Sequence, residues 1–320
     1  MKKILIIQTA FLGDVILATP VVEELSRLFP ESTIDFLVRK GNESLLNNNP
    51  HLNHVLILDK ATINRKRSIK ENITAIRNTQ YDLLVNLHRF GSSGLITIRS
   101  KARKKYGFKK NPYSLFFTKR FHHSIGDSTH EVERNLSLIK EFGAGSMVRP
   151  SLFPSESDFE KVRRYTGQNF ITIAPTSVWK TKQVPEGKWI ELINKTSNDR
   201  SIFLLGGAND AEVCDSILKS VKHDKVINLA GQLSLLQSAA LMKGADMNHV
   251  NDSGPLHLAS AMNAPVTAYY CSTVPEFGFG PLSDESSINQ VEGLDCKPCG
   301  LHGHKECPKG HFKCGNDIKI

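Results

Sequence analysis

Two short segments combine side chains capable of chemistry with glycines that let a ligand approach. The first is Ala10-Phe11-Leu12-Gly13-Asp14, directly after an apolar strand pattern at 3–8; the second is Asn251-Asp252-Ser253-Gly254-Pro255-Leu256-His257, directly after a late one. Gly13 permits close approach of backbone to ligand. Asp14 stands at the start of the helix that continues Val15-Ile16-Leu17-Ala18. It suits two roles there, a helix cap or a carboxylate that accepts a proton from a sugar hydroxyl. A helix N-terminus lowers a carboxylate's pKa, which makes a weaker base. In the second segment Pro255 falls in the first helical turn, whose free N–H groups form a ready anion site. A bare carboxylate repels an anion, so Asp252 is expected to orient the loop or bind a sugar hydroxyl. His257, one turn in, faces a ligand or packs in the core. No G-x-G-x-x-G follows the first strand, which disfavours a dinucleotide.

Pro175-Thr176-Ser177-Val178-Trp179-Lys180-Thr181-Lys182-Gln183-Val184-Pro185 follows another strand pattern. Hydroxyls and lysines concentrated in one such loop suit a diphosphate, because lysine supplies compact positive charge and Thr or Ser neutral donors. A polar loop with two exposed lysines is the plainer alternative. Leu205-Gly206-Gly207-Ala208-Asn209-Asp210 is a further strand-to-helix turn, which turn geometry alone explains.

These segments need strands and helices to hold them, and the apolar periodicity supplies both. In the first half it predicts strands at 3–8, 33–38, 54–58, 82–87 and 103–108, with helices at 14–29, 68–79 and 131–142. The second half repeats the rhythm, with strands at 170–174, 202–205, 225–227, from 245 onward and 265–270. Its helices are expected near 186–197, 210–221, 233–243 and 254–262. Alternating strands and helices imply mostly parallel sheets with ligands at the carboxyl ends of the strands. The fold class is therefore α/β with two Rossmann-like, doubly wound domains, expected at 1–154 and 155–295, and a Cys/His-rich tail at 296–320. Pro150 and Pro154 interrupt both periodicities at the seam, and a cleft between the domains is the expected site.

Charge is uneven along the 320 residues. Residues 1–150 carry a net +11 and the rest a net −2, so the first half is expected to face an anionic partner. From Arg99 to His123 there are nine cations and no carboxylate, with six aromatics between them. That composition suits nucleic acid or an anionic membrane surface, or a solvated basic loop. No apolar run approaches the ~18 residues that span a bilayer. The apolar start ends at Gln8 without the usual cleavage site, so the chain is expected to be cytoplasmic.

Cys214 and Cys271 fall within the helix and strand patterns and read as small buried residues. Cys296, Cys299, Cys307 and Cys314 cluster at the end, with His302, His304 and His311 among them. The Cys-x2-Cys start is zinc-like, and a structural zinc stands beside free thiols as the reading of this tail.

Taken in order, these segments resemble glycosyltransferase family 9, the ADP-heptose:lipopolysaccharide heptosyltransferases, and especially the heptosyltransferase II-like members. The match rests on Lys3 to Ile7 leading to Phe11 to Pro20, then Trp179 to Pro185, Leu205-Gly206-Gly207, and Asn251 to Ala259. Gln183-Val184 stands where a basic and an aromatic residue are common in that family, and Pro255 where a bulkier apolar residue is usual. The resemblance implies GT-B architecture and inverting transfer of heptose from ADP-heptose, or a related nucleotide sugar, to the inner core of lipopolysaccharide. It implies Asp14 as general base and Lys182 on the donor diphosphate. Gly13, Thr176, Ser177, Lys180, Gly206, Gly207, Asp252, Ser253, Gly254 and His257 would form the donor site. The basic residues Arg99, Lys101, Arg103, Lys104, Lys105, Lys119 and Arg120 would meet the anionic acceptor at the cytoplasmic membrane surface. On this reading no cofactor is required for catalysis and no nucleic acid is expected. A GT-B enzyme with a different nucleotide sugar and a non-catalytic basic or zinc-binding protein are the competing readings.

Overall fold

Runs such as Ile4-Leu5-Ile6-Ile7 and Phe170-Ile171-Thr172-Ile173-Ala174 are apolar on both faces, which suits strands covered on both sides by helices. A computed structural model of the chain, describing every residue except Thr62, forms two such sheets. Residues 1–125 and 129–153 make one unit, and residues 126–128 and 154–320 the other.

In the first unit β1 (Lys3–Gln8), β2 (Thr33–Arg39), β3 (His54–Leu58), β4 (Leu83–Asn86), β5 (Lys104–Phe108) and β6 (Lys119–Phe121) are all parallel, in the order β3-β2-β1-β4-β5-β6. The helices are α1 (Leu12–Ile16), α2 (Thr19–Leu28), α3 (Arg65–Thr79), α4 (Gly91–Arg99) and α5 (Glu131–Ser137). The strand order reverses between β1 and β4, and loops leaving that switch point are where such sheets bind ligands.

The second unit repeats the pattern with α6 (Glu156–Arg163), β7 (Phe170–Ala174), α7 (Glu186–Lys195), β8 (Ser201–Leu204), α8 (Ala211–Ser220) and β9 (Val226–Asn228). It continues with α9 (Leu235–Lys243), β10 (Met247–Asn251), α10 (Gly254–Ala261), β11 (Val266–Tyr270), β12 (Ser286–Gln290) and α11 (Lys313–Asn316). Its parallel order, β12-β11-β10-β7-β8-β9, places the reversal between β7 and β10. The Thr176–Lys182 loop leaves β7 and Asp252 leaves β10, so the two candidate donor segments emerge side by side.

The expected strands and most helices are present, with three physical differences. The helix expected over 14–29 is two helices, because Pro20 cannot donate to the turn before it. Helices α4 and α6 and strands β6 and β12 went unpredicted. Strand β6 is only three residues long, two of them charged, and β12 is exposed at an edge, so neither shows an apolar run. The tail is not an appended module. Its Cys314 and Ile318 pack into the second unit's core beside Trp189, Cys214 and Cys271, and full burial of a side chain such as Ile318 contributes about 1.5–3 kcal/mol.

Candidate active site

The carboxylate at the first switch point is set by the turn that follows β1. Helix α1 begins at Leu12, two residues earlier than the sequence suggests, so Phe11 is the cap and Asp14 the third helical residue. The Asp14 Oδ2 accepts the Phe11 N–H at 3.2 Å. Burial pushes the Asp14 carboxyl up to about 6, with a further push from the Glu131 charge; the Phe11 N–H and the Arg89 charge oppose it. The helix terminus does not win here, and Asp14 is a better base than its position in a first turn suggests.

Glu131 lies at the start of α5, and its buried charge is compensated. Arg134 Nε donates to its Oε2 at 2.7 Å, and His123 Nε2 lies 3.3 Å from the same oxygen. Burial raises the Glu131 carboxyl, but His123 and Arg134 outweigh it and leave the group below its ordinary value. One turn further, the buried Asn135 donates from Nδ2 to the Leu17 carbonyl at 3.1 Å. Helix α5 thus pins the end of the helix that carries Asp14 and places a negative charge near its carboxyl.

Further polar groups gather at the neighbouring strand ends, around Thr9 of the loop that leads to Asp14. Lys60, after β3, donates its Nζ to the Thr9 carbonyl, and burial pushes it down to about 8 with help from the Arg39 and Arg65 charges; Asp14 opposes this. His88, after β4, shares its Nδ1 with Thr9 Oγ1 at 3.2 Å and Ser93 Oγ at 3.1 Å. Burial and then the Lys60 and Arg89 charges push it down to about 3, so the ring is neutral. Lys60 and Arg89 lie far from Asp14 in sequence, and only the convergence of strand ends brings them to it.

The basic run expected as one acceptor surface is divided. Helix α4 runs back against the sheet, so Arg99 at its end, Lys101, Arg103 and Lys104 lie at the amino edge, opposite the edge that carries Gly13 and Asp14. Arg103 pairs with Asp82 at 3.4 Å, and Lys104 lies 5.6 Å from the centre of the Phe142 ring. Lys105 follows in β5. Lys119 and Arg120 are in β6, beside Tyr106 and Gly107, and Lys119 is bonded to Glu141. Carboxylates absent from the run therefore arrive from elsewhere in the chain, and the expectation of a single uncompensated surface is corrected.

In the second unit the segments that leave β7 and β10 meet, as the topology requires. Lys182, in a short turn over Lys180–Lys182, places Nζ 2.6 Å from Asp252 Oδ2, and Thr273 Oγ1 donates to the same oxygen at 2.6 Å. Asp252 is thus no bare carboxylate: it holds Lys182, whose ammonium keeps further donors for a ligand. Asn251, buried at the end of β10, binds both strands of the site. Its Oδ1 accepts the Val184 N–H at 2.9 Å, and its Nδ2 donates to the Ala174 carbonyl at 3.2 Å and to the Thr176 carbonyl at 3.4 Å. Gln183, one of the departures from the family pattern, donates to the Ser177 carbonyl at 2.7 Å. Lys180 is exposed and reaches Gln183 Oε1 at 3.3 Å. Ser253 directly precedes α10, which starts at Gly254, and its Oγ donates to the Asn251 carbonyl at 3.4 Å.

Gly206 and Gly207 serve the turn. A Cβ at Gly206 would stand 2.7 Å from the Asp210 Cβ, and the Gly207 N–H donates to Asp210 Oδ2 at 2.7 Å. His257 is 5% exposed, on the buried face of α10 with its ring 6.4 Å from that of Phe279.

The tail's contribution lies in its backbone. Thr181 exchanges both backbone and side-chain bonds with His304: the Thr181 N–H donates to the His304 carbonyl at 3.1 Å, and the His304 N–H donates to Thr181 Oγ1 at 2.8 Å. A Cβ at Gly303 would stand 2.7 Å from Trp179 Cβ and 2.8 Å from Lys182 Cγ. The tail thus buttresses the lysine turn. Its thiols share a neighbourhood, since burial and then the charge of Cys299, with smaller contributions from Cys307 and Cys296 and with Lys297 opposing, push Cys314 up to about 11. Cys296 Sγ lies 3.9 Å from His311 Nε2. Among the described residues, however, no three His, Cys, Asp or Glu side chains form a group that could hold a metal. The zinc set expected of Cys296, Cys299, Cys307 and Cys314 is not assembled.

Two doubly wound α/β units, each with polar groups at its switch point, give the chain GT-B architecture. Its fold is that of the family 9 glycosyl transferase of Veillonella parvula (TM-score 0.82, 20% identity, 90% of this chain and 85% of that one). It is equally that of the E. coli ADP-heptose lps heptosyltransferase II (TM-score 0.78, 22% identity, 99% and 98%). The Escherichia coli lipopolysaccharide heptosyltransferase 3 is 27% identical over 82% of each chain. Residues 70–311 match the model of glycosyltransferase family 9 (heptosyltransferase), and the chain belongs to that family.

Proposed function

We propose that the chain transfers heptose from ADP-heptose to the inner core of lipopolysaccharide with inversion at the anomeric carbon. Asp14 takes the proton of the acceptor hydroxyl as that oxygen attacks. A carboxyl with a pKa near 6 is ionised at neutral pH yet basic enough to share a proton late in the reaction, as an oxocarbenium-like centre acidifies the hydroxyl. Lys182, held by Asp252, meets the charge that grows on the departing diphosphate, with help from the opening turn of α10. Those groups supply the neutralisation, so the mechanism asks for no metal.

The observation that carries this reading is the Asp14 carboxyl in the turn after β1, bonded to the Phe11 N–H and raised by burial within reach of the Glu131, Arg89 and Lys60 charges. The names of the relatives support the donor and acceptor classes: one acts on lipopolysaccharide, and another is named for ADP-heptose. The acceptor would be met at the cytoplasmic membrane face. Among the described residues no helix is long and apolar enough to cross a membrane. Incubating the chain with ADP-heptose and a heptose-free inner core should yield free ADP and a glycosylated acceptor in equal amounts. Transfer from a different nucleotide sugar alone would overturn the donor assignment.

A further inference from the structure

The loop that joins β5 to β6 presents large apolar side chains to water from a rigid base. Leu115 is 76% exposed and Phe116 69% exposed, although every neighbour is tied down. Asn111, buried below them, donates to the His88 and Phe90 carbonyls, both at 3.1 Å, and accepts the Tyr113 N–H at 3.0 Å. Ser114 Oγ donates to the Lys109 carbonyl at 2.9 Å, and the Phe117 ring lies against Gly107, where a Cβ would stand 2.6 Å from it. Phe90, on the loop that Asn111 holds, is 64% exposed as well. The loop therefore does not turn its apolar residues inward, although local packing fixes its path. Around them Lys109, Lys110 and Arg120 are exposed, and among the described residues none of the three is paired with a carboxylate.

We propose that this loop is a wedge by which the first unit docks on an anionic phospholipid bilayer, Leu115 and Phe116 entering the interface and Lys109, Lys110 and Arg120 meeting lipid phosphates. Apolar tips flanked by cations are what interfacial binding needs: the side chains supply buried area, and each nearby Lys or Arg adds attraction to a negative surface. A protein partner fits less well, because a stable interface buries about 800 Å² on each side and two side chains at a tip offer far less. The wedge leaves the carboxyl end of β5, the same edge from which the Asp14 loop leaves β1. This deepens the reading of a lipid-linked acceptor, since docking there would bring the sugar of a membrane-held acceptor to the base.

The test is binding of the full chain to vesicles of phosphatidylcholine with phosphatidylglycerol, against vesicles of phosphatidylcholine alone. The parent should bind the anionic vesicles, lose binding as salt rises and bind the neutral ones weakly. Leu115→Ser with Phe116→Ser should lower partitioning by about 10²-fold and slow transfer to a bilayer-held acceptor, leaving transfer to a deacylated, water-soluble acceptor unchanged. Phe116→Trp keeps the wedge apolar, and its emission should shift to the blue on anionic vesicles alone. Absence of parent binding, a doubly substituted chain that binds like the parent, or no spectral shift would overturn the proposal. Asp14→Asn should bind vesicles like the parent, so failure of the wedge and failure of the catalytic reading give different results.

Discussion

Replacing Asp14 by Asn separates a catalytic carboxylate from a helix cap by moving activity and stability in opposite directions. In the native unit the carboxyl lies at about 6 against an ordinary 3.8, so the folded state binds its proton more tightly than the unfolded one. Stability is therefore highest below the ordinary value and falls as pH rises through 6. The difference amounts to about 3 kcal/mol, and screening by water at this partly exposed side chain reduces it to about 1–2 kcal/mol. Asparagine keeps an oxygen for the Phe11 N–H and carries no charge. Asp14→Asn is accordingly expected to melt about 2–8 °C above the parent at pH 8 and level with it near pH 4. Its turnover should fall ~10²–10⁴-fold. Calorimetric melting at several pH values beside a transfer assay at pH 8 reads both. Turnover within a few-fold of the parent would reduce Asp14 to a cap, and a lower melting point at pH 8 would show that burial does not strain the charge.

Four further outcomes are expected. The parent's kcat/KM should rise with pH through about 6 and then level, and Glu131→Gln, by removing a nearby negative charge, should move that midpoint down; a midpoint unmoved by the substitution would place Glu131 outside the base's surroundings. Lys182→Ala should weaken ADP binding and, by leaving the buried Asp252 carboxylate unpaired, destabilise the chain by about 1–3 kcal/mol. Adding Asp252→Asn should restore the stability but not the nucleotide affinity, as read by calorimetric titration and melting. Gly303→Ala should raise the donor KM several-fold by pressing on Trp179 and Lys182, whereas Gly187→Ala, whose new methyl group meets nothing within 4 Å, should leave it unchanged.

Much of the fold was legible because strands covered on both faces are nearly pure apolar runs, as in Ile4 to Ile7 and Phe170 to Ala174. Short edge strands such as β6 carry no such run, and Pro20 broke a helix whose amphipathic pattern continued across it. Gly13, Asp14, Lys182 and Asp252 were legible as candidates because loops at strand ends concentrate polar groups in one short stretch. Lys60, His88, Arg89, Glu131, Asn135 and Thr273 were not, since they come from separate segments that only the sheet order brings to the others. The basic run misled for the converse reason. Neighbours in sequence from Arg99 to Arg120 are carried by α4 and β5 to both edges of one sheet, and Asp82 and Glu141 reach them from afar.

The most direct measurement is NMR of the glycosidic linkage formed when the parent chain and Asp14→Asn are each given ADP-heptose and an inner-core acceptor. The parent should release ADP and build a linkage of inverted anomeric configuration, and the variant should build almost none. A product of retained configuration, or equal product from both chains, would contradict a direct displacement driven by Asp14.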